Sequence, residues 1–239
     1  MIKVNNEKCT NCALCAEVCP VGFISMADSG PAATGRLCIA CGHCVAVCPA
    51  EALDNERNLL KNQIPLKKFP VIERETAEQF LRSRRSIRKY KNQLIPEAEI
   101  KKLVDIARFA PSGGNMQGLS YLVVSGKDQL SHISAIVIEW MKKEIEKNSP
   151  LSFYYKPTVQ IFESGNKDII LRGAPHLIIA LAKKDNGIAT FSTCYSLGYV
   201  ELYATSMGFG TCWAGFFDFC ANSGHKPMMD LLQIPEDTK

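Results

Sequence analysis

Eight of the eleven cysteines stand in two runs of identical spacing. Cys9, Cys12, Cys15 and Cys19 lie in C-T-N-C-A-L-C-A-E-V-C-P, and Cys38, Cys41, Cys44 and Cys48 lie in C-I-A-C-G-H-C-V-A-V-C-P, shifted by 29 positions. Thiolates separated by two residues in a short loop converge on one metal centre, and the proline after each fourth cysteine stops a helix from continuing. Two other uses of grouped cysteines fit less well. A disulfide framework belongs to oxidising compartments, and zinc needs only one four-thiolate set per ion, usually split between two distant C-x2-C pairs. A second chemical cluster is Arg84-Arg85-Ser86-Ile87-Arg88. Three guanidiniums and a hydroxyl within five residues make an anion clamp, because arginine offers forked donors to phosphates and carbonyl edges; taken alone, the same run also suits a solvated charged face.

The spacing C-x2-C-x2-C-x3-C-P resembles that of bacterial-type ferredoxins. The resemblance implies a two-cluster domain over residues 1–54. One 4Fe-4S cluster would be held by Cys9, Cys12, Cys15 and Cys48 and the other by Cys38, Cys41, Cys44 and Cys19, because the fourth cysteine of each run crosses to the other cluster.

The elements that position these groups follow from pattern. Residues 55–72 are rich in Lys, Asn and Pro without periodicity and read as a linker, with a second domain over residues 73–239. A short helix is expected over residues 75–82. Pro96 opens a better one, in which Ile100, Leu103, Val104 and Ala107 share a face, ending near Ala110-Pro111. Residues 119–125 and 176–182 suit strands, 127–146 a long helix, and 188–207 a largely apolar helix whose Ser192, Ser196, Gly198 and Ala204 allow close packing. Gly208-Phe209-Gly210 lacks the third glycine of a dinucleotide fingerprint, so no nicotinamide-binding Rossmann unit is assigned.

Two further segments extend the arginine cluster: Ala110-Pro111-Ser112-Gly113-Gly114-Asn115-Met116-Gln117 after a helix, and Met207-Gly208-Phe209-Gly210-Thr211-Cys212-Trp213-Ala214-Gly215, read as a turn into a strand. The trio R-R-S-x-R, A-P-S-x-x-N-x-Q and G-x-G-T-C-W-x-G, in this order, resembles the FMN-dependent nitroreductase family over residues 73–239. The resemblance implies a three-layer α+β fold, an intertwined homodimer and an FMN in each of two interface sites. Carried over by position, Arg84, Arg85, Ser86 and Arg88 would bind the phosphate, ribityl chain and pyrimidine edge. Pro111, Ser112, Asn115 and Gln117 would approach from the partner subunit. Ala214 and Gly215 would offer backbone N–H groups near N5 and O4, with Trp213 beside them. In the family a further strand with a G-Y-P-like segment, basic phosphate ligands and an embracing arm follow the last helix. Here the sequence ends at Lys239, so either it is a fragment or the protein does without that arm.

Composition sets outer bounds. At 239 residues, 46% hydrophobic and 22% charged, this is ordinary globular material with room for two domains. No stretch has signal-peptide character or membrane-span length, and a cytoplasmic location is expected. The formal charge of +4 is cancelled by two clusters carrying about two negative charges each with their thiolates. With no basic run interleaved with aromatics, no nucleic-acid partner is expected. Cys194, Cys212 and Cys220 read as buried free thiols, His43 as a surface histidine or one that tunes a cluster, and Phe153-Tyr154-Tyr155 as packing aromatics or a flavin lid.

Together the resemblances imply an α+β oxidoreductase supplied by an electron donor such as reduced ferredoxin or NAD(P)H, in which electrons that enter through the two clusters pass singly to FMN and accumulate there as a pair. From there they reach a small electron-poor substrate, a nitroaromatic or a quinone. No catalytic side-chain acid or base is assigned. The rival readings are a non-catalytic electron-transfer or redox-sensing module, and the same fold with a different reaction, such as reductive dehalogenation.

Overall fold

The structure, a computed structural model, describes residues 2–64, 70–165 and 167–239. Residues 65–69 of the expected linker lie outside the described residues. The chain divides into two compact units, Met1–Ile72 with Gly113–Met116, and Glu73–Ser112 with Gln117–Lys239.

The first unit carries the cysteine repeat into its backbone. Strand β1 (Ile2–Val4) pairs antiparallel with β4 (Leu53–Asn55), and β2 (Ile24–Ala27) forms a hairpin with β3 (Gly30–Ala33). Two one-turn helices, α1 (Leu14–Glu17) and α2 (His43–Ala46), start at equivalent points of the two copies. Each follows a left-handed residue, Ala13 (φ 64°) and Gly42 (φ 77°). Asn11 and Ala40 (φ 55° and 53°) and Gly22 and Glu51 (φ 61° and 47°) repeat the same backbone states at the same offset. Non-glycine residues seldom adopt these angles, so matched occurrences at three places mark a constraint shared by both copies. Phe23, Leu53, Val45 and Ile24 form a small core together with Cys15, Cys38 and Cys44. So little apolar material supports a domain weakly, and bound metal contributes folding energy in such units.

The boundary differs from the sequence expectation. Asn55, expected to open the linker, pairs with Ile2 and is 1% exposed. A short 3₁₀ turn, Leu60–Asn62, follows, and Leu60 packs on the cysteine-bearing core. The stretch 55–62 is thus folded into the first unit.

The second unit is built on one antiparallel pair, β5 (Leu119–Ser125) and β6 (His176–Ala182), in the register Leu119↔Ala182 to Ser125↔His176. Alternation along the strands divides their side chains between two faces. Leu122, Val124, Leu177, Ile179 and Leu181 meet α5 (Lys127–Glu146), α6 (Ser152–Glu163), α8 (Gly215–Asn222) and α9 (Lys226–Leu232). Tyr121, Val123 and Ile178 meet α4 (Glu97–Ala107) and α7 (Ala189–Ser206) on the other face. The result is a three-layer α+β arrangement. Helix α5 earns its central place with Leu130, Ile133, Ser134, Val137, Ile138 and Met141, all buried at helical spacing. Helix α3 (Arg74–Ser83) buries no side chain. Beyond β6, Lys239 and Ala182 exchange two backbone hydrogen bonds of 2.8 Å. Among the described residues no helix is long and apolar enough to cross a membrane.

A histidine ties the sheet to the approach to α4. The His176 Nε2 accepts the Ile95 N–H at 2.8 Å, and its Nδ1 lies 2.7 Å from Ser125 Oγ. Accepting at Nε2 requires a neutral ring, with Nδ1–H donating to the serine. Burial holds the His176 pKa below its ordinary value. The unfolded chain therefore takes up this proton first as pH falls, so the contribution is intact above about 6.5 and is lost through the lower folded value. Urea denaturation followed by circular dichroism at pH 7.5 and 5.5 should show the wild type losing stability. His176→Gln, which can accept the same N–H without titrating, should lose less, the bond itself being worth about 1 kcal/mol. Equal losses in the two proteins would remove His176 as the cause.

Candidate functional site

The cysteines of the first unit line two cavities. Cys9, Cys12, Cys15 and Cys48 surround one, flanked by Val4, Met26, Pro31 and Leu53. Cys19, Cys38, Cys41 and Cys44 surround the other, with Phe23, Ile24, His43 and Asn55. Each cavity thus draws three cysteines from one run and the fourth from the other. Among the described residues no three His, Cys, Asp or Glu side chains are grouped as a single metal ion would need.

The surroundings suit an anionic cluster. Backbone N–H groups aim at sulfur: Phe23 at Cys19 (3.2 Å), Ala52 at Cys48 (3.3 Å) and Ala40 at Cys38 (3.4 Å). Burial pushes the Cys15 and Cys44 thiols up, and neighbouring cysteines add to it. The Asn55 hydrogen bond to Cys44 works the other way. Burial raises Cys19 too, but backbone N–H groups of residues 21–24 outweigh it and leave that thiol lowered. Bound iron would supply the positive charge that the buried thiolates lack. His43 lines the second cavity yet is exposed.

In the second unit the arginine segment and the glycine-spaced segment are joined. The Ile87 N–H donates to Thr211 O at 2.8 Å. A Cβ on Gly210 would stand 2.7 Å from Ile87 Cγ1 and 2.9 Å from its Cβ, so only glycine lets the two segments meet. Arg84 ends α3 and is half-buried, as is Ser86, whereas Arg85 and Arg88 are exposed. The Arg85 guanidinium donates to the carbonyls of Arg82 and Arg84, and Arg88 to Ser86 O at 3.4 Å.

The expected strand after Trp213 is instead helix α8, with Ala214 at its N-cap and Gly215 its first residue. The N–H groups of a helix's first turn have no partner within the helix, so this end presents donors and a partial positive charge. Burial raises the Asp218 carboxyl, while hydrogen bonds from Asn222 (2.9 Å) and the Trp213 indole oppose it. Trp213 is thereby held although it is 46% exposed.

The loop carrying Pro111, Ser112, Asn115 and Gln117 makes a turn of its own. Ser112 Oγ accepts the Gln117 N–H at 3.1 Å, and Gly114, Asn115 and Gln117 all have positive φ. Its residues Gly113–Met116 belong to the first compact unit.

Several groups beside the joined segments escaped sequence reasoning. Burial, together with Cys212 and Glu201, pushes the Tyr90 phenol up to about 12 against the pull of Arg172 and Arg88. Arg172 sits at φ 60° in a turn whose N–H groups at Ile170, Leu171 and Gly173 bond the Asp168 carboxylate. Glu201 accepts from Thr211 Oγ1 at 3.2 Å. These residues come from separate elements, and no local spacing announces them.

The remaining cysteines divide. Cys220 is fully buried and raised to about 12 by burial, an inert thiol as expected; Cys194 is exposed and Cys212 half-buried, against expectation. Tyr155 packs edge-on against Trp140 in the core, whereas Phe153 and Tyr154 are exposed and packed on each other at 4.0 Å.

Residues 81–239 match the nitroreductase family, and residues 8–53 match the 4Fe-4S dicluster domain. A nitroreductase with bound FMN from Desulfitobacterium hafniense DCB-2 is similar in structure, with a TM-score of 0.55 and 22% identity over 68% of this chain and 82% of that one. A nitroreductase with bound FMN from Bacteroides fragilis NCTC 9343 follows, at 0.54 and 21% over 68% and 82%. A BluB-like flavoprotein from Clostridium difficile 630 gives 0.53 and 19% over 67% and 81%. No curated protein matches the sequence.

Proposed function

The chain belongs to the nitroreductase family, and from that premise we propose that it is an FMN-dependent oxidoreductase reducing a small electron-poor molecule such as a nitroaromatic or a quinone. When bound, the two 4Fe-4S clusters supply electrons singly and FMN delivers them to the substrate in pairs. The observation that carries this reading is the union, in one chain, of two four-cysteine cavities with a nitroreductase unit.

The chain's own residues divide the work. Cys9, Cys12, Cys15 and Cys48 hold one cluster, and Cys19, Cys38, Cys41 and Cys44 the other. Arg84, Arg85, Ser86 and Arg88 bind the phosphate, ribityl chain and pyrimidine edge of FMN. Trp213, Ala214 and Gly215 would face the ring system, and the N-terminal N–H groups of α8 would favour negative charge on a reduced flavin. Pro111, Ser112, Asn115 and Gln117 reach the flavin of a partner subunit. A homodimer is supported by α7, which buries Ser192, Ser196, Val200 and Ala204 yet leaves Phe191, Tyr195 and Tyr199 70, 58 and 41% exposed in a stripe at four-residue spacing. Such a stripe calls for an apolar partner.

Anaerobic purification with iron, sulfide and FMN quantification, followed by stopped-flow reduction, tests the reading. Dithionite or reduced ferredoxin should reduce the flavin faster than NADH does, with cluster bleaching preceding or accompanying it. Cluster absorbance without flavin would make the protein an electron carrier, and fast flavin reduction by NADH with idle clusters would remove the internal route.

A further inference from the structure

Asn55 is a buried amide whose polar atoms are both engaged. Its Oδ1 accepts the Arg57 N–H at 2.9 Å, and its Nδ2 stands 3.7 Å from Cys38 Sγ. The pairing of β1 with β4 fixes its position opposite Ile2. Neutral sulfur is a weak acceptor, so a side chain 1% exposed that spends its donor on sulfur is suited to a charged thiolate. Arg57 reinforces the same corner, its guanidinium donating to Cys38 O at 2.8 Å.

The two cavities are unequal in this respect. Backbone N–H groups reach ligand sulfur in both, through Ala52 in one and through Phe23 and Ala40 in the other. Among the described residues, Asn55 is the side-chain amide that donates to a cysteine sulfur, and it serves the cavity of Cys19, Cys38, Cys41 and Cys44. The nearest analogue in the other cavity is Asn11, an exposed residue whose Oδ1 lies 3.4 Å from Cys9 Sγ. Water competes for Asn11, and whichever way its amide turns, the bond is worth less than a buried one.

Donors to ligand sulfur stabilise the reduced, more negative cluster. We propose that Asn55 sets the two clusters apart in reduction potential, raising that of the cluster held by Cys19, Cys38, Cys41 and Cys44 so that it takes the first electron. The proposal rests on the two-cluster reading above.

The test is a reductive titration of the full-length protein followed by electron paramagnetic resonance, with iron and sulfide counted in each sample. Asn55→Leu removes the donor, and Asn55→Asp keeps an acceptor for the Arg57 N–H without a donor for sulfur. Wild type should hold about eight irons and reduce in two separated steps. In both variants the upper step should move to lower potential while the lower step stays, and Asn11→Ala should move neither appreciably. Variants with full iron and an unmoved upper step overturn the proposal and leave the two-cluster reading standing. About four irons in the wild type overturn both. If neither variant folds, the unaltered protein decides. With asparagine labelled with nitrogen-15 at the side-chain amide, pulsed resonance of the cluster reduced first should show a nitrogen-15 coupling, and its absence overturns the proposal.

Discussion

Replacing Cys19 with alanine is expected to cost the protein the cluster encoded mainly by the other cysteine run. Cys19 shares its cavity with Cys38, Cys41 and Cys44, while its own sequence neighbours Cys9, Cys12 and Cys15 share theirs with Cys48. Iron should fall from about eight to about four per chain, since three thiolates hold a cubane poorly. The loss can be located without a structure of the variant. The resonance spectrum of reduced Cys19→Ala should match that of Cys41→Ala, and the spectrum of Cys48→Ala should match that of Cys12→Ala. A Cys19→Ala spectrum matching that of Cys12→Ala would mean that each run serves its own cluster.

The second large effect is expected on flavin. Changing Arg84 and Arg88 together to alanine should raise the FMN dissociation constant at least tenfold and leave iron content unchanged. Arg85 already spends donors on the carbonyls of Arg82 and Arg84, which leaves Arg84 and Arg88 as the freer guanidiniums of the segment. Charge-assisted hydrogen bonds are worth roughly 1.5 to 3 kcal/mol each, and a tenfold change in affinity is about 1.4. Solvent screening at exposed Arg88 discounts its share, so tenfold is a floor set mainly by half-buried Arg84. Calorimetric titration of the flavin-free protein reads the constant. An unchanged constant in the double variant would remove these arginines from the phosphate site.

What could be read from the residues depended on the length and purity of each pattern. Strands β5 and β6 and helix α5 fall on the expected residues, because long apolar or amphipathic runs end at sharp punctuation such as Gly126. Helix α7 lost one residue at each end, where Ile188 and Met207 are its caps. Helix α4 stops at Ala107, three residues short of the expected end, and the chain runs on to Ala110 in turns. Helix α8 was misread because G-F-F-D-F-C is too short for its period to separate helix from strand. Helix α6 was not foreseen, since Pro157 inside it removes a donor and breaks the helical signal. The two cysteine runs were legible because ligand spacing is itself the chemistry, whereas their crossed division into quartets followed from the ferredoxin resemblance. Asn55 was not, for β4 is only three residues long and the composition beyond it is that of a loop. Likewise, nothing in R-R-S-x-R announces that its isoleucine needs the bare backbone of Gly210.

The two tryptophans sit in opposite surroundings within one unit. Trp140 is 6% exposed and packed edge-on against Tyr155, while Trp213 is 46% exposed and tethered to Asp218. An indole in apolar packing emits to the blue of one in water, and dissolved quenchers reach only the latter. The chain therefore carries two separable fluorescent reporters without any label. Trp140 follows the integrity of the α5–α6 core, and Trp213 follows events at the mouth of α8, so loss of fold and occupation of the site can be told apart in a single cuvette.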